Sequence, residues 1–366
     1  MKITAAVTRE KGKFNFETVE LAEPKANEVL VKLVACGICH TDIAVIEQFL
    51  PIEFPIVAGH EGVGIVEKVG AGVTELAPGD RVTLSFPYCG VCDNCKDGRP
   101  YSCETGFHMM FGGKYRDGTK RMVGEDGAEI GIMFGQGSFA THVIADESNA
   151  VKVDIDNDDE LPQLCSLGCG IQTGAGAVLN RMKPRPGSSI AIFGCGSVGL
   201  AAVMAAKIAG CSTIIAVHGR RGREEALEFG ATHVVNGRKE DIVARVREIT
   251  GGKGVNFALE SAGVPDMVSN MLDSMAREGL AVLVSVTGPA TIPIALEPQI
   301  MSPSVTVAGA VEGFSNPKVF IPELVRFYKE GRLPIDKLNK FYEFNDLGKA
   351  LSDCHEGLVV KPILRF

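Results

Sequence analysis

Four cysteines lie close together in one stretch of the chain, at Cys89, Cys92, Cys95 and Cys103. The stretch CGVCDNCKDGRPYSC is rich in Gly, Pro and Asp, which favour turns. Four thiolates at this spacing can surround one tetrahedral zinc ion. Such a site leaves no open coordination position, so we predict a structural zinc lobe at about residues 86–106. The alternatives are unrelated buried cysteines or a redox C-x-x-C pair, and neither needs four thiols at this spacing.

A glycine pattern, G-x-G-x-x-G over residues 194–199, follows the apolar run SIAIF and precedes an Ala-rich segment. Between a strand and a helix this pattern is typical of dinucleotide binding. Gly194 would allow the tight turn, Gly196 would let the backbone approach a pyrophosphate, and Gly199 would let helix and strand pack closely. The helix would offer unpaired N–H groups to the anion. The alternative is a glycine turn that binds nothing.

The end of the next strand distinguishes the two nicotinamide cofactors. An acidic residue there would bind the adenosine ribose and repel a 2′-phosphate. The chain has His218 at this place, followed by Gly219, Arg220 and Arg221. Two guanidinium groups without a carboxylate favour NADP over NAD. If both arginines face solvent, NAD still binds.

A third set consists of Cys39, His60 and Cys169, in the contexts CGICHTD, AGHEGVG and GCGIQTG. A catalytic zinc needs two or three protein ligands and one exchangeable position, and two cysteines with one histidine are a known solution. Zinc, as a Lewis acid, would lower the pKa of an alcohol that transfers hydride to a nicotinamide, and would polarise a carbonyl in the reverse reaction. His60 alone could instead be a hydrogen-bonded core histidine.

Composition and charge exclude several classes of function. The chain has 366 residues, 45% of them hydrophobic, which predicts two globular domains. The net charge is −8 and no basic block follows an aromatic pattern, so we expect small-molecule substrates and no nucleic-acid partner. Without a signal peptide or a membrane-spanning apolar run, we expect a cytoplasmic protein that contacts no membrane.

The chain has eleven cysteines, which fits a reducing compartment if most of them bind metal or are buried. Six belong to the two candidate metal sets described above. We expect the others to be small packing residues; they are Cys36, Cys165, Cys195, Cys211 and Cys354.

The pattern of residues changes twice along the chain. Residues 1–169 carry short alternating stretches and turn signals such as PGDRV, which predict a β-rich domain. Residues 170–310 alternate apolar strands, glycine turns and Ala-rich helices, which predict an α/β domain with a doubly wound parallel sheet of the Rossmann type. Residues 311–366 are assigned back to the first domain. Residues 106–139, rich in Gly and Met, are expected to be loop near the site.

Together the motifs resemble those of the zinc-dependent medium-chain dehydrogenase/reductase family. The resemblance covers essentially the whole chain, from VLVKLVACGICHTD through GHEGVGIVEKVG, the cysteine lobe, GCGIQTGAG and GCGSVG to KPILRF. Within the family the chain is similar to aryl-alcohol (benzyl-alcohol) and geraniol dehydrogenases, through FGQGSFATHV, LGCGIQTGAGAVLN and FIPELVRFY. The resemblance implies a GroES-like catalytic domain, a Rossmann domain and two zinc ions per subunit. It also implies a homodimer or homotetramer, with pairing through an edge strand near residues 285–310.

The resemblance assigns roles around the catalytic zinc. Cys39, His60 and Cys169 match its ligands. Glu61 matches a carboxylate that can approach or briefly replace the fourth ligand. Asp42 matches an acceptor that orients the zinc-bound histidine.

The predicted proton path departs from that of liver-type alcohol dehydrogenases. Thr41 matches the hydroxyl that takes the proton from the substrate alcohol. The chain has Ala44 where the liver-type enzymes have a proton-relay histidine. The proton must therefore leave through a cofactor ribose hydroxyl and water, or through another base such as His40. His40 and Lys361 also match basic positions near the cofactor pyrophosphate.

The glycine pattern and the resemblance together define a set of cofactor-binding residues, in which two members would line the nicotinamide, Thr173 and Val198. The full set is His40, Thr173, Gly194, Gly196, Ser197, Val198, Gly199, His218, Gly219, Arg220, Arg221 and Lys361.

Apolar residues near the metal in the family layout are expected to form the substrate pocket: Phe49, Leu50, Phe86, Met109, Met110 and Phe111. Such walls favour hydrophobic primary alcohols and aldehydes of the benzyl, cinnamyl or geranyl type. With NADP, aldehyde reduction would be the physiological direction.

Three alternatives remain open at this point. One is a polyol or formaldehyde-adduct dehydrogenase of the same family. Another is a quinone or enoyl reductase, whose relatives lack these zinc ligands. The last is a noncatalytic zinc- and nucleotide-binding module, which would have lost one of the three ligands.

Overall fold

A computed structural model describes residues 1–219, 222–286 and 290–366 of the chain. Within these residues it has eighteen strands and ten α-helices. The strands are β1 (Lys2–Glu10), β2 (Lys13–Leu21), β3 (Glu28–Gly37), β4 (Ile56–Val57), β5 (Glu61–Val69), β6 (Arg81–Leu84), β7 (Met122–Gly124), β8 (Glu129–Ile132), β9 (His142–Asp146), β10 (Ala150–Lys152), β11 (Ser189–Phe193), β12 (Thr213–His218), β13 (His233–Asn236), β14 (Val255–Glu260), β15 (Met275–Leu283), β16 (Thr306–Gly309), β17 (Asn339–Glu343) and β18 (Lys361–Arg365).

The α-helices are α1 (His40–Ile46), α2 (Asp93–Lys96), α3 (Gly106–Phe111), α4 (Gly170–Gly176), α5 (Ser197–Ile208), α6 (Arg223–Phe229), α7 (Ile242–Ile249), α8 (Pro265–Asp273), α9 (Pro317–Lys329) and α10 (Leu347–His355). Shorter 3-10 or π segments complete the set: Pro100–Ser102, Glu147–Asn149, Asp158–Gly168, Ala177–Met182, Leu296–Met301, Val311–Phe314, Ile335–Leu338 and Phe344–Asp346. None of the described helices is both long enough and apolar enough to cross a bilayer.

The chain divides into two units. The first contains residues Met1–Cys169, Asn316–Phe327 and Ile335–Phe366, and the second contains Gly170–Ser315 and Tyr328–Pro334.

The first unit is built mainly on antiparallel β-structure, with parallel pairings only between β4 and β8 and between β17 and β18 among the described strands. Strands β1, β2, β7, β8 and β4 close into a barrel. A second sheet has the order β10-β6-β5-β3-β18-β17, with β9 also paired to β3. Strand β3 is buried along most of its length, because strands border it on both sides and its sequence EVLVKLVACG is almost continuously apolar. The late strand β18 pairs with β3 and β17, so the chain returns to complete this sheet.

The second unit contains a six-stranded sheet in the order β13-β12-β11-β14-β15-β16, and every pairing in it is parallel. Counted from β11, this is the order 3-2-1-4-5-6 of the Rossmann fold. The apolar runs SIAIF and TIIAVH form its central strands, as parallel strands covered on both faces require. The predicted fold class is therefore confirmed. In such sheets ligands bind at the carboxyl ends of the strands where the order reverses, here between β11 and β14.

Two of the glycines in the turn after β11 are required by the backbone structure. Gly194 has φ +107°, a conformation that side chains rarely adopt. A Cβ at Gly199 would lie 1.8 Å from the carbonyl oxygen of Gly194, so only glycine lets α5 start this close to the turn. Gly196 has neither constraint, because its φ is −84° and no atom of the described residues lies within 4 Å of an added Cβ. The space beside Gly196 is therefore free for a ligand.

Two details of the structure differ from the sequence prediction. The second unit continues to Ser315 and also contains Tyr328–Pro334, whereas residues 170–310 were predicted for this domain. The reason is that the turn before Ser315 is tied to α4: Gln172 Nε2 donates to Glu312 Oε2 at 3.2 Å, and Ser315 Oγ donates to Gln172 Oε1 at 3.1 Å. Residues 106–139 are not simply loop, because they contain α3 and the barrel strands β7 and β8.

We predict that Gly199→Ala destabilises the second unit by about 1–3 kcal/mol, since the added methyl group would overlap the Gly194 carbonyl oxygen. Urea unfolding followed by circular dichroism measures the change. Gly196→Ala is the matched control and should unfold at the wild-type urea concentration. Equal stability of both variants would contradict the packing role of Gly199.

Candidate metal centres and active site

The four cysteines of the predicted lobe converge in the first unit. The sulfur atoms of Cys89, Cys92, Cys95 and Cys103 all lie within 4.8 Å of one another. The lobe is folded by turns and by the short helix α2, which begins directly after Cys92. The backbone N–H groups of Cys92 and Val91 donate to Cys89 Sγ at 3.3 and 3.5 Å. The structure therefore brings together the donors of a closed tetrahedral site.

The electrostatics of this cluster favour a bound cation. Burial opposes ionisation of Cys89, but the two backbone N–H groups and the neighbouring thiols lower its pKa to about 6. Burial and the neighbouring sulfurs of Cys92 and Cys103 raise the pKa of Cys95. A thiolate in the cluster thus hinders ionisation of the next thiol, and a divalent ion removes that conflict by binding all four sulfurs.

A second cluster gathers Cys39, His60, Glu61 and Cys169, whose potential ligand atoms also lie within 4.8 Å of one another. Cys39 caps the start of α1, His60 directly precedes β5, and Glu61 is the first residue of β5. Cys169 ends the 3-10 segment 158–168. His60 Nε2 lies 3.3 Å from Cys169 Sγ. Three distant parts of the sequence therefore supply one donor set.

Asp42 connects the segments that carry these donors. Its carboxylate is fully buried, and its Oδ1 lies 2.7 Å from His60 Nδ1. The same carboxylate accepts hydrogen bonds from the N–H groups of Gly59, at 3.1 Å, and Cys39, at 2.9 Å. Since Nδ1 faces Asp42, Nε2 is the nitrogen available to a metal. Burial opposes protonation of His60, but Asp42 and Cys39 outweigh it and raise the pKa of the imidazole.

Glu61 is paired with a buried lysine. Lys361 Nζ lies 2.5 Å from Glu61 Oε2 and donates to the carbonyl oxygen of Ile38 at 3.1 Å. Burial raises the pKa of Glu61, and Lys361 opposes that rise. A Cβ at Gly37 would lie 2.1 Å from Glu61 Oε2, so this glycine makes room for the carboxylate. The ammonium of Lys361 therefore has a partner inside the first unit, while its contact with a pyrophosphate stays a prediction.

The residues of the predicted proton path lie at the start of α1. Thr41 Oγ1 lies 3.6 Å from Cys39 Sγ. His40 is exposed, and Ala44 is half-buried one turn further along the helix. The structure thus places a hydroxyl beside the donor set and an exposed imidazole next to it in sequence.

The predicted nucleotide residues lie in the second unit. Thr173 is buried in α4, and Ser197 and Val198 are half-buried at the start of α5. His218 ends β12 and is only 7% exposed, and its Nδ1 has no hydrogen-bond partner among the described residues. Arg220 and Arg221 lie outside the described residues.

The predicted pocket residues differ in their surroundings. Phe49 is 71% exposed, with Lys11 Nζ 5.6 Å from the ring centroid. Leu50 is half-buried against the core of the first unit, to which Phe86 and Met110 belong. Met109 is buried, and Phe111 is half-buried. Their role in binding a substrate stays a prediction.

The other cysteines are mostly buried, as expected for packing residues. Cys36, Cys165, Cys211 and Cys354 are at most 9% exposed, whereas Cys195 is half-buried with its Sγ 3.7 Å from the carbonyl oxygen of Val217. Burial raises the pKa of all five thiols, so they stay protonated.

Sequence reasoning missed several side chains beside these sites. Phe134 and Gln136 contact His60, yet the motif FGQGSFATHV that contains them served only as a likeness to relatives. Glu260, at the end of β14, accepts hydrogen bonds from the N–H groups of Ala262 and Gly263 at 2.7 and 2.8 Å. Gln136 and Glu260 each stand out in the sequence as a polar residue inside a run of mostly small or apolar residues, GQGSF and FALESAG.

We predict two zinc ions per chain in the wild type, measured by elemental analysis of dialysed protein. Cys169→Ser should leave one ion and preserve the circular dichroism spectrum, because the lobe remains intact. Cys92→Ala should remove the other ion and impair folding or assembly, because it opens the closed site. Two ions in both variants would contradict the assignment of the ligands.

We predict that Lys361→Met destabilises the first unit by about 3–5 kcal/mol, because it leaves the Glu61 charge buried without its counter-charge. The double variant with Glu61→Gln should recover most of this loss in urea unfolding. If Lys361 mattered only for cofactor binding, Lys361→Met would unfold like the wild type in the absence of cofactor.

Comparison with known proteins agrees with this geometry. The chain matches the alcohol dehydrogenase GroES-like domain over residues 25–155 and the zinc-binding dehydrogenase domain over residues 197–330. It is 41% identical to a geraniol dehydrogenase of Castellaniella defragrans, across 99% of this chain and 97% of the relative.

Two solved structures share the fold over almost their whole length. The crystal structure of benzyl alcohol dehydrogenase from Acinetobacter calcoaceticus is 42% identical, with a TM-score of 0.95 over 100% of this chain and 99% of that one. An alcohol dehydrogenase zinc-binding domain protein from Burkholderia ambifaria is 43% identical, with the same TM-score and the same coverage. The chain therefore belongs to the zinc-dependent medium-chain dehydrogenase/reductase family, among its alcohol dehydrogenases.

Proposed function

We propose that the chain oxidises hydrophobic primary alcohols of the aryl or allylic type to aldehydes, for example benzyl alcohol to benzaldehyde, and catalyses the reverse reduction. One observation carries the proposal. Two thiols, one imidazole and one carboxylate converge within 4.8 Å, and a hydroxyl, that of Thr41, lies 3.6 Å from one of the sulfurs.

The donor set fits a catalytic zinc ion. Sulfur and imidazole nitrogen are ligands that zinc prefers, and two cysteines with one histidine leave a position for substrate. Glu61 is held back by Lys361, so three donors are available without it. A zinc ion bound here would supply Lewis acidity that lowers the pKa of the substrate hydroxyl.

Residues of the chain would take up the proton, and the cofactor would take up the hydride. Thr41 would accept the proton of the substrate hydroxyl, and a nicotinamide cofactor held at the glycine turn of the second unit would supply the acceptor for the hydride of the carbinol carbon. The products are one aldehyde, one reduced cofactor and one proton. With Ala44 in place of a relay histidine, the proton would leave through His40 or through a ribose hydroxyl of the bound cofactor and then water.

The substrate class rests on the relatives and on the predicted pocket. The two named relatives act on geraniol and benzyl alcohol, both primary alcohols beside a double bond or an aromatic ring. The aldehyde products of such alcohols are stabilised by conjugation. The predicted walls Phe49, Leu50, Phe86 and Met110 are apolar and would not satisfy the hydroxyls of a polyol.

We infer a preference for NADP from the end of β12. The strand ends in His218 without a carboxylate, and its buried Nδ1 lacks a partner among the described residues. A Cβ at the next residue, Gly219, would lie 3.8 Å from Arg238 Nε, so a guanidinium borders this position. Arg238 forms no ion pair within the described part of the chain. A 2′-phosphate would find hydrogen-bond donors here and no repelling carboxylate.

We also propose a homodimer or homotetramer in the cytoplasm. Among the described residues, β16 is one of the two edge strands of the parallel sheet, and apolar side chains near it are exposed, with Leu296 and Met301 at 72% and 68%. An unpaired edge beside an apolar surface favours pairing with a second copy. All eleven cysteines are free thiols, which suits a reducing compartment.

We predict that benzyl alcohol and geraniol give a kcat/KM at least about a hundredfold above that of sorbitol, a difference of about 2.7 kcal/mol in transition-state binding. Steady-state kinetics with each alcohol and both cofactors measures this. Strong turnover of sorbitol or of a formaldehyde adduct, with none of benzyl alcohol, would favour the alternative enzymes. No turnover with any alcohol in zinc-loaded protein would favour a noncatalytic module.

We predict that His218→Asp lowers kcat/KM for NADP by at least about tenfold and leaves NAD at or above its wild-type value, because a carboxylate repels the 2′-phosphate. Arg238→Ala should weaken NADP in the same selective way. His233→Asp places the same charge at the opposite end of the neighbouring strand and serves as the control. A wild type that strongly prefers NAD would contradict the inference.

A further inference from the structure

We propose that residues 134–138, Phe-Gly-Gln-Gly-Ser, form a clamp that sets the positions of the metal ligands His60 and Cys169. We call this segment the 134–138 clamp. The inference rests on the proposed catalytic metal site and assigns positioning residues to it. Three contacts carry it. A buried amide binds the main chain of His60, and an aromatic ring packs on the imidazole of His60. Ser85, which lies outside the segment, connects the amide to the residue before Cys169.

The amide of Gln136 is the centre of the clamp. Its side chain is fully buried, and Nε2 donates to the carbonyl oxygens of His60, at 3.0 Å, and Ser85, at 3.1 Å. Its Oε1 accepts from Ser138 Oγ at 2.6 Å and from the N–H of Gly62 at 3.4 Å. Both N–H groups and the carbonyl oxygen of the amide are thus used, which fixes a single orientation of the side chain.

Ser85 extends this network to the second ligand. Its Oγ donates to the carbonyl oxygen of Gly168 at 2.9 Å, one residue before Cys169. A Cβ at Gly168 would lie 2.0 Å from the carbonyl oxygen of Leu84, so the two segments touch at their backbones. The backbone of His60 and the backbone beside Cys169 are therefore joined through one amide and one hydroxyl.

Phe134 holds the imidazole itself. The centroids of the Phe134 and His60 rings are 4.5 Å apart at an interplanar angle of 36°. Phe111 packs edge-on against Phe134 at 5.3 Å. Asp42 holds one edge of the imidazole and Phe134 covers a face, so rotation of the ring away from Cys169 is opposed on both sides.

The backbone of the clamp supports a positioning role. Phe134 has φ +54°, which disfavours a residue with a large side chain and requires support from its surroundings. That support comes from the Phe134 N–H, which donates to the carbonyl oxygen of Met110 at 2.7 Å, and from Asn149 Nδ2, which donates to the Phe134 carbonyl oxygen at 3.4 Å. Gly135 and Gly137, at φ +63° and +64°, complete the tight path.

The test replaces the amide while keeping the size of the side chain. Gln136→Met removes the hydrogen bonds, and Gln136→Glu places a carboxyl group against two carbonyl oxygens. We expect zinc bound at the Cys39, His60 and Cys169 site to transfer to a colorimetric chelator at least about tenfold more readily in each variant than in the wild type. Loss of a residue that supports a metal ligand typically weakens metal binding by this amount or more. The closed cysteine lobe should keep its ion, which provides an internal reference.

Gln48→Met is the matched control, because Gln48 Nε2 also donates to two main-chain carbonyl oxygens, those of Val45 and Ile52, at 3.2 and 3.1 Å. It should release zinc like the wild type. Cobalt substitution gives a second readout, since a displaced imidazole changes the visible absorption of the bound ion. Circular dichroism of the metal-free proteins checks that each variant is folded.

Ser138→Ala and Phe134→Leu provide milder tests in case the Gln136 variants fail to fold. Both should weaken zinc retention without a change in the metal-free spectrum. Wild-type retention in folded Gln136→Met, or in both milder variants, would overturn the inference and leave the proposed function standing. A wild type that holds only the lobe zinc would overturn the proposed function and the clamp together.

Discussion

The contact between Asp42 and His60 is the one on which the first unit's metal site depends. A single buried carboxylate binds the imidazole of one ligand and the N–H groups of Gly59 and Cys39. These hydrogen bonds decide which nitrogen of His60 faces the cluster and hold the start of α1 beside the start of β5. Removal of that acceptor would leave three donors without this partner, two of them on the buried residues Gly59 and His60. The ligand arrangement and the local fold therefore depend on the same carboxylate.

The buried charged groups around this site are paired with groups of opposite charge. Glu61 and Lys361 neutralise each other within the sheet, and the room for their contact exists because residue 37 is a glycine. A lone buried carboxylate would pick up a proton or pull water into the core. The pairing opposes the rise in the pKa of Glu61 that burial causes, and so favours a negative charge close to two thiols and an imidazole, where it would attract a cation.

Local patterns in the sequence predicted much of this architecture. The cysteine spacing, the strand-glycine-helix motif and the apolar runs of the parallel sheet are set by contacts between near neighbours in the chain. The Glu61–Lys361 pair and the Gln136 network could not be predicted in this way, because they join segments far apart in sequence and nothing nearby marks the partner. Residues 106–139 were mistaken for loop, because their strands are three or four residues long and close a barrel whose other strands lie elsewhere.

The pairing of β18 with β3 has a consequence for how the protein is made on the ribosome. All four residues of the catalytic donor set are synthesised before the second unit, whereas Lys361 is synthesised after it. At about 5–20 residues per second, the delay is on the order of ten seconds or more. Until then Glu61 lacks its lysine partner, and β3 has a free edge at residues 35–37, where β18 will pair with it. The first unit therefore cannot complete its sheet and exclude water from its interior until the second unit has been translated.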